Sequence, residues 1–570
     1  MKYSVNKIFT TVKRFFDIPS ALAIWVVIGL MVPATALCFT ESQPFIVAFT
    51  SFFLPLGVYS IIFALIRKVG LSAFILFPFM VFAAFQLVLL YLYGEGIIAV
   101  DMFLNVFTTS FSEATELLSN LIMALVAVVV LYVSALVWGG YAWKRGLRLS
   151  SPTAKRFMIC GVVWLGIGIG CGCASYLTVP GFNIIRSVFP ANVIDNLVEA
   201  VNRTGQMRNY HDTSRNFTYN AVSKRDSSEK ELYILVIGET GRAHDWQLGG
   251  YHRETNPKLA ATEGLTYFPH SFSESNTTHK SVPMLMSAAS AENFDSIYAY
   301  KSIITAFKEA GFHTAFFSVQ APNRSYTQYF ANEADTTVYI PGGDLSAAHD
   351  GALLQLLRDE IGKSATKEFI VLHTYGSHFK YSDRYPDSFA IFKPDRCSDA
   401  SAMNRKKLIN AYDNTIIYTD YILSQIIEAA GNAECRSAVL YSTDHGEDIF
   451  DDSRRRFLHA SPTPTAMQLH VPVICWLSPK CRLDSPEYTN NLQKNRNSIV
   501  SPQKSLCMTI MDIAGIDSPL RNDRWSLVSS AYIAPALVYL TDRNEPLPWE
   551  KINFKKEDHE YFKKVLSCKN

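Results

Sequence analysis

Five long apolar segments in the first third of the chain constrain its fold more than any other feature. Each is long enough to cross the roughly 30 Å hydrocarbon core of a bilayer, which takes about 20 apolar residues. None contains Asp, Glu, Lys or Arg, and they lie near Ala21–Thr40, Phe45–Ile66, Leu71–Tyr93, Leu118–Gly140 and Phe157–Leu177. One such segment could be a buried core helix, but five in succession predict a multi-pass α-helical membrane domain. The first is too long for a cleavable signal peptide.

Loops that contain basic residues alternate strictly along the chain with loops that contain none. Eleven lysines and arginines lie before the first segment, between the second and third, and between the fourth and fifth. The other two loops, near Glu41–Pro44 and Gly94–Leu117, carry none. Because cytoplasmic loops are enriched in Lys and Arg, we expect a cytoplasmic N-terminus. An odd number of spans then places everything after Leu177 on the outer side.

Polarity changes twice after the last apolar segment. From Pro180 to about Gln206, apolar residues recur at the spacing expected of helices on a membrane surface, and a polar linker follows. The predicted domains are therefore a five-span membrane domain at 1–178, bridging helices and linker at 179–230, and a soluble domain at 231–570. The net charge of +2 gives no support for a nucleic-acid partner.

Six of the ten cysteines lie in the predicted soluble domain. If that domain is outside the cytoplasm, one to three disulfides are expected, but the pairing stays open. The six are Cys397, Cys435, Cys475, Cys481, Cys507 and Cys568.

The soluble domain alternates short apolar β-type runs with helical patterns, as in a mainly parallel α/β sheet. Helical patterns lie at Lys301–Ala310, Ala347–Ile361 and Arg405–Ala430. The predicted strands are Leu232–Ile237, Thr314–Ser318, Phe369–His373, Ala438–Ser442 and Val471–Leu477. Ligands of open α/β sheets bind beyond the carboxyl ends of the strands, so the polar residues that follow the strands are the candidate site residues.

Three of these strands run into potential metal ligands. Glu239 follows the first strand, His378 follows the third, and Asp444 and His445 follow the fourth. Any one of them could be an ordinary turn or cap residue, but carboxylate and imidazole ligands together suit Zn²⁺. Further along the chain, His459 and His470 could each complete the site or bind substrate.

A run of hydroxyl residues, Ser275–Ser281, lies between the first two predicted strands and precedes a predicted helix whose first turn could hold Pro283. A hydroxyl at a helix N-terminus beside a dication is placed to attack phosphorus, because both favour an anionic phosphoryl group. The alternative is an ordinary Ser or Thr N-cap.

Together these motifs resemble the lipid A phosphoethanolamine transferases, which include the mobile colistin-resistance enzymes and belong to the alkaline phosphatase superfamily. The resemblance covers nearly the whole chain. The segments that carry it are Ile237–Thr240, Gly250–Pro257, Thr278–Pro283, His373–His378, Ala411–Thr415 and Asp444–Glu447. It implies a membrane domain followed by a sulfatase-like periplasmic α/β domain, in a bacterial inner membrane.

The resemblance also implies roles for individual residues. Glu239, Thr278, Asp444 and His445 would form the zinc site, with Thr278 as nucleophile, and one or more zinc ions would be bound. His378 and His459 would hold the phosphoryl group or a second zinc, although His459 lies two residues beyond the family spacing. The residues expected to contact substrate elsewhere are Asn105, Thr109, Glu113, Gln320 and Arg324.

Two features depart from the family pattern. Gln320 and Arg324 stand where the family has an Asn-x-x-x-Lys phosphate-contact motif. The cysteines that often flank the nucleophile are missing, since Asn276 and Met284 lie near those positions.

The implied reaction is transfer of phosphoethanolamine from phosphatidylethanolamine to lipid A or lipopolysaccharide core, by a monomer, through an intermediate on Thr278. The added ethanolamine cation would weaken the binding of polymyxin. A glycerophosphotransferase acting on a periplasmic glycan or a lipoteichoic-acid-like acceptor is the nearest alternative. A sulfatase is disfavoured because the Cys/Ser-x-Pro-x-Arg motif is absent, and a transporter because the spans contain no ionisable residue. A non-catalytic sensor would not need the full ligand set.

Overall fold

The computed structural model describes residues 16–41, 43–94, 96–108, 121–340, 349–363, 365–397 and 399–567. These residues belong to two compact units, one within 1–103 and 118–201 and the other within 104–117 and 202–570. The first unit is helical, and the second contains the predicted α/β sheet.

Four helices of the first unit are long and apolar enough to cross a membrane: Pro19–Thr40, Phe45–Ile66, Ile122–Lys144 and Ser151–Thr178. A further pair, Val69–Ile75 and Phe77–Tyr93, is bent by 57° and makes a fifth span if it is counted as one. Pro78 lies in the first turn of the second helix of this pair, where its missing N–H costs no hydrogen bond and favours a fresh helix start. The multi-pass helical domain is confirmed, while the count of five spans and the orientation stay predictions.

Helices Phe45–Ile66 and Ser151–Thr178 approach closely through glycines. A Cβ atom added at Gly57 would lie 2.6 Å from the backbone nitrogen of Leu165, and one added at Gly168 would lie 2.6 Å from that of Leu54. Small residues allow helix backbones to pack at this range inside a membrane, where association depends on van der Waals contact.

Replacing Gly168 by leucine is therefore expected to destabilise the membrane unit by about 1–3 kcal/mol, as overpacking does. Gly170 lies on the same helix and has no heavy atom of the described structure within 4 Å of an added Cβ, so Gly170→Leu is the matched control. Thermal unfolding of the purified full chain in detergent measures both. Equal unfolding temperatures for the two variants would contradict this packing.

The second unit is built on a seven-stranded sheet. Its strands are β1 (Glu231–Gly238), β2 (Leu265–Phe268), β3 (His313–Ser318), β4 (Thr336–Tyr339), β5 (Lys367–His373), β6 (Arg436–Thr443) and β7 (Val473–Leu477). They lie in the order β2-β7-β6-β1-β5-β3-β4. The five strands from β6 to β4 are parallel, while β7 is antiparallel to both of its neighbours. All five predicted strands are confirmed within two residues, and β2 and β4 were not predicted.

The described residues contain further helices besides the long apolar ones. The predicted helices correspond to Ile303–Glu309, Ala352–Ile361 and Arg405–Asn432. The others are Ile184–Ser187, Ala191–Arg208, Tyr210–Thr213, Pro257–Ala260, Thr278–Leu285, Tyr326–Ala331, Ala466–Leu469, Pro479–Asp484, Pro486–Asn495, Pro502–Ile513 and Lys556–Ser567, with Val100–Thr108 before the fourth long helix. Three two-stranded ribbons pair Val222–Ser223 with Ile516–Asp517, Asp448–Ile449 with Phe457–Leu458, and Val538–Leu540 with Pro546–Pro548.

The disulfide expectation is wrong for the cysteines that the structure describes in the soluble part. Cys397, Cys435, Cys475, Cys481 and Cys507 are free thiols, and Cys568 lies outside the described residues. All but Cys397 are buried. They act as small packing residues, and burial raises the pKa of Cys435 to about 11, which keeps that thiol protonated and unreactive.

Candidate active site

The candidate site lies at the carboxyl ends of the central strands. In β1 and β6 the last residues, Gly238 and Thr443, are paired, so the next residues, Glu239 and Asp444, leave the sheet side by side. Both strands are fully buried, which fixes the register and carries both carboxylates into the interior. Glu239 and Asp444 are 1% and 0% exposed.

The turn after β1 links these two carboxylates. Thr240 has a left-handed backbone with φ of +58°, which is costly for a β-branched residue. Its N–H donates to Asp444 Oδ1 at 3.0 Å, and its hydroxyl donates to Glu239 Oε1 at 2.9 Å. The hydrogen bonds that Thr240 makes with both acidic side chains hold it in this sparsely populated conformation.

His445 presents one ring nitrogen to the carboxylates. Its Nδ1 lies 3.0 Å from the Gly446 carbonyl, which can only accept, so Nδ1 carries the proton. The lone pair of Nε2 then faces Asp444 Oδ2 at 3.2 Å and Glu239 Oε1 at 3.7 Å. A histidine fixed in this tautomer by a hydrogen bond from its other nitrogen is typical of a metal ligand.

Thr278 places its hydroxyl at the same point. Its Oγ1 lies 3.0 Å from Glu239 Oε1 and 3.1 Å from His445 Nε2. Thr278 is the first residue of helix Thr278–Leu285, and Pro283 lies inside this helix. The prediction that Pro283 lies in the first turn is therefore wrong. The helix starts earlier because the prolyl ring removes only one backbone hydrogen bond near its end.

The neighbouring hydroxyl of Thr277 takes a different direction. It lies 3.1 Å from the Ser275 hydroxyl, so Thr278 is the threonine that reaches the acidic cluster.

These residues fit a divalent cation. One ligand atom each from Glu239, Asp444 and His445 lies within 4.8 Å of the others. Burial raises the pKa of Glu239, and burial together with the charge of Glu239 raises the pKa of Asp444. Within the part of the chain that the structure describes, Asp444 Oδ2 has no hydrogen-bond partner. Two buried carboxylates with an unsatisfied oxygen form a site that suits a cation.

Two further histidines lie beside this triad. The ring centroids of His445 and His459 are 4.2 Å apart, and those of His459 and His378 are 6.3 Å apart. His378 Nδ1 donates to the Phe379 carbonyl at 2.5 Å, which leaves the lone pair of Nε2 to receive a cation or a proton. Burial lowers the pKa of His378 to about 3, so its imidazole is neutral at pH 7.

His470 does not belong to the site. Its Nδ1 lies 2.8 Å from the Tyr561 hydroxyl and its Nε2 lies 2.8 Å from the Pro269 carbonyl. Both ring nitrogens are therefore used in a buried structural contact, and the prediction that His470 completes the site or binds substrate is wrong.

Of the predicted substrate contacts, Gln320 lies at the triad. Its amide donates to Glu239 Oε2 at 3.3 Å and to the Thr374 carbonyl at 2.8 Å. Arg324 lies on an exposed loop, and its backbone N–H donates to Gln328 Oε1 at 2.6 Å. Its role stays a prediction.

Asn105 Oδ1 lies 3.1 Å from Nδ1 of His279, the residue after Thr278. Thr109 and Glu113 lie outside the described residues.

Several residues that shape the site were not singled out from the sequence. Glu447 is fully buried, and its Oε2 lies 3.5 Å from His459 Nδ1. Ser273 donates its hydroxyl to the Asp444 carbonyl at 2.6 Å and fixes the backbone of that ligand. Glu447 belongs to a segment quoted for the family resemblance, whereas Ser273 acts through a long-range backbone contact that no local pattern indicates.

The parallel sheet and the threonine beside two carboxylates and a histidine define an α/β enzyme domain with a candidate metal site. The profile of the sulfatase family matches residues 231–516 of the 570-residue chain. The chain belongs to the sulfatase family, in the alkaline phosphatase superfamily.

Named relatives point to one branch of this family. Phosphoethanolamine transferase EptA of Salmonella typhimurium strain LT2 is 31% identical over 299 residues, which cover 51% of this chain and 54% of that protein. Kdo(2)-lipid A phosphoethanolamine 7''-transferase of Escherichia coli strain K12 is 28% identical over 480 residues, covering 78% of this chain and 82% of that protein. The chain thus spans about half the length of the first relative and about four-fifths of the second. The predicted resemblance is confirmed.

Solved structures share the fold. The integral membrane protein lipooligosaccharide phosphoethanolamine transferase A from Neisseria meningitidis has a TM-score of 0.70 at 21% identity, covering 90% of this chain and 98% of its own. The periplasmic domain of EcEptC from Escherichia coli, solved in complex with Zn, has a TM-score of 0.54 at 22% identity, covering 60% of this chain and 98% of its own. These likenesses confirm the predicted fold class, a helical membrane domain followed by a sulfatase-like α/β domain.

Proposed function

We propose that this protein transfers phosphoethanolamine from phosphatidylethanolamine to lipid A or lipopolysaccharide core. The main support for the proposal is the position of the Thr278 hydroxyl, whose oxygen lies within 3.1 Å of both Glu239 Oε1 and His445 Nε2. The substrate class is supported by the relatives, one named a phosphoethanolamine transferase and another a Kdo(2)-lipid A phosphoethanolamine transferase. The family name does not imply a sulfate ester, because Thr278 stands where a sulfatase nucleophile motif would be required.

Glu239, Asp444 and His445, with the Thr278 oxygen, would hold at least one Zn²⁺. When bound, the ion would supply Lewis-acid chemistry that lowers the pKa of an adjacent hydroxyl and offsets phosphoryl charge. Zinc is favoured because two carboxylates and one imidazole are among its usual ligands and leave a position open. The Zn complex of the EcEptC periplasmic domain supports this choice.

In the first half-reaction Thr278 acts as the nucleophile. Its hydroxyl proton points along the hydrogen bond to Glu239 Oε1 at 3.0 Å, which leaves an oxygen lone pair for attack on phosphorus. The Oγ1–P bond forms while the P–O bond to diacylglycerol breaks, and the proton that Thr278 loses along this hydrogen bond passes to the departing glycerol oxygen. The product is phosphoethanolamine esterified to Thr278.

In the second half-reaction a phosphate or sugar hydroxyl of the acceptor attacks the same phosphorus. The Oγ1–P bond breaks, and Thr278 regains its proton. His378 and His459 lie beside the triad, where they would orient the phosphoryl group or hold a second cation. The proton that the attacking hydroxyl loses passes to the Thr278 oxygen, because the low pKa of His378 makes its imidazole a poor base at pH 7.

Both substrates are lipids, so the membrane domain would confine enzyme and substrates to one surface and assist their encounter. We propose the topology predicted from the loops: a cytoplasmic N-terminus, a membrane domain at 1–178, a bridging segment at 179–230 and a periplasmic domain at 231–570 of a bacterial inner-membrane protein that acts as a monomer. Asn105 supports a lipid contact near the nucleophile, because it hydrogen bonds to His279.

The test is mass spectrometry of lipid extracts from a bacterial host that expresses the chain. Lipid A or core species are expected to gain phosphoethanolamine, and the host is expected to become less susceptible to polymyxin. Gain of glycerophosphate instead would favour the alternative acceptor chemistry. No added group on any acceptor, from a protein that is folded and membrane-inserted, would contradict the proposal.

A further inference from the structure

The segment Tyr412–Thr415 carries the family resemblance but has no role in the reaction described above. It lies in the middle of the long helix Arg405–Asn432. All four side chains are buried, with exposures of 1% or less. Three of the four are polar or charged residues, which are seldom fully buried unless each has a partner. Their partners therefore indicate what this part of the helix does.

Tyr412 closes the turn that follows β1. Its hydroxyl donates to the Thr240 carbonyl at 2.7 Å and accepts from the Arg242 N–H at 2.8 Å. One oxygen thus joins the two ends of the three-residue segment that directly follows Glu239. The tyrosine is 0% exposed, so water cannot take over either hydrogen bond without entering the core.

The closed turn contacts two of the three residues that would bind the metal. Thr240 donates its N–H to Asp444 Oδ1 at 3.0 Å and its hydroxyl to Glu239 Oε1 at 2.9 Å. Its left-handed φ of +58° is unfavourable for threonine and persists only where the surroundings enforce it. The hydroxyl of Tyr412 supplies two of the hydrogen bonds that enforce it.

The same helix segment anchors the turn that follows β5. The Thr415 hydroxyl lies 2.6 Å from the Ser377 hydroxyl, one residue before His378, and the two form a hydrogen bond. Asn414 Oδ1 accepts the Phe392 N–H at 2.8 Å and fixes a neighbouring loop. One rigid helix therefore holds the turns after two adjacent strands, and both turns carry site residues.

We infer that Tyr412 is a positioning residue for the metal site, acting through the turn that carries Glu239 and Thr240. The inference rests on the proposed metal-dependent function. Outer-shell partners that orient ligands typically change metal affinity by about 10–100-fold when they are removed. The Tyr412 hydroxyl bonds to backbone atoms of Thr240 and Arg242 rather than to a ligand side chain, so its effect passes through the backbone.

The substitution Tyr412→Phe removes the hydroxyl alone. The ring packs edge-on against Tyr381 at 5.2 Å and under the Arg242 guanidinium at 5.1 Å, and phenylalanine keeps both contacts. In the purified full chain, the dissociation constant for Zn²⁺, measured by competition with a chelator, is expected to rise by about 10–100-fold. Added Zn²⁺ is expected to restore transfer activity, and the Arg242 amide is expected to exchange faster with solvent.

Tyr219→Phe is the matched control. Tyr219 is 1% exposed and donates its hydroxyl to the Lys301 carbonyl at 2.9 Å. Tyr219→Phe therefore also removes a buried, hydrogen-bonded hydroxyl, but one far from the turn after β1 in sequence, and its Zn²⁺ affinity should equal that of the wild type. Wild-type affinity and wild-type exchange in Tyr412→Phe would overturn the inference while leaving the proposed function intact. A wild-type chain that binds no Zn²⁺ would overturn both. Should the variant fail to fold, hydrogen exchange in the wild type decides: a freely exchanging Arg242 amide would overturn the inference.

Discussion

Replacing Thr278 by alanine is expected to lower kcat for phosphoethanolamine transfer by at least about 10³-fold, as loss of a covalent nucleophile does. The hydroxyl of Thr278 is the group that contacts both Glu239 and His445, at 3.0 and 3.1 Å. Alanine is a good helix former, so helix Thr278–Leu285 should be retained. Transfer from labelled phosphatidylethanolamine in mixed micelles, together with a thermal unfolding curve, measures both expectations.

The matched control for this experiment is Thr277→Ala. The Thr277 hydroxyl lies 3.1 Å from Ser275 rather than at the acidic cluster, so this variant should retain activity within about tenfold. Comparable losses in the two variants would show that the hydroxyl of Thr278 has no special role. Substantial activity in Thr278→Ala would contradict a covalent mechanism through this residue.

Replacing Asp444 by asparagine is expected to remove metal binding and, at the same time, to stabilise the metal-free protein. Burial and the charge of Glu239 raise the pKa of Asp444, so a neutral amide relieves unfavourable burial of charge. Asparagine keeps Oδ1 as the acceptor for the Thr240 and His445 N–H groups. Its amide would replace Oδ2, 3.2 Å from His445 Nε2, and could donate to that lone pair.

A gain in stability of the metal-free Asp444→Asn variant would distinguish this prediction from a general packing defect, which lowers stability. With wild type, Zn²⁺ at 1,000 times its dissociation constant should add about 4 kcal/mol to the free energy of unfolding, and Asp444→Asn should lose that increment. Metal content and thermal unfolding with and without a chelator measure both effects. Asp420→Asn is the control, because Asp420 accepts the Lys258 and Leu259 N–H groups at 3.0 and 2.9 Å and should keep the metal-dependent increment. A chelator-sensitive Asp444→Asn variant would contradict the account.

The fold was largely predictable because its elements are marked by uninterrupted local patterns. The central strands β1, β5 and β6 are buried on both faces and therefore read as continuous apolar runs. Strands β2 and β4 have only four residues each, and runs that short do not differ from ordinary loop sequence. The break between Val69–Ile75 and Phe77–Tyr93 was missed because apolar residues continue through it, although Pro78 marks the position.

The site was predictable where a residue directly follows a strand, as Glu239, Asp444 and His445 do. It was not predictable where a partner comes from a distant part of the chain. His470 follows a plausible metal-binding spacing, yet its ring is held by Tyr561, 91 residues away. Tyr412 acts on the backbone of Thr240, 172 residues earlier, and a contact to backbone atoms leaves no pattern of matched side chains in the sequence.

The most direct measurement is peptide mass spectrometry of the protein after incubation with phosphatidylethanolamine and Zn²⁺, without an acceptor. The account predicts one phosphoethanolamine group on the peptide that contains Thr278, assigned to that residue by fragmentation and discharged when lipid A is added. Two results from an enzyme that turns over would contradict the account. One is a phosphoethanolamine group on a residue other than Thr278, and the other is the absence of any modified peptide when the reaction is quenched in acid.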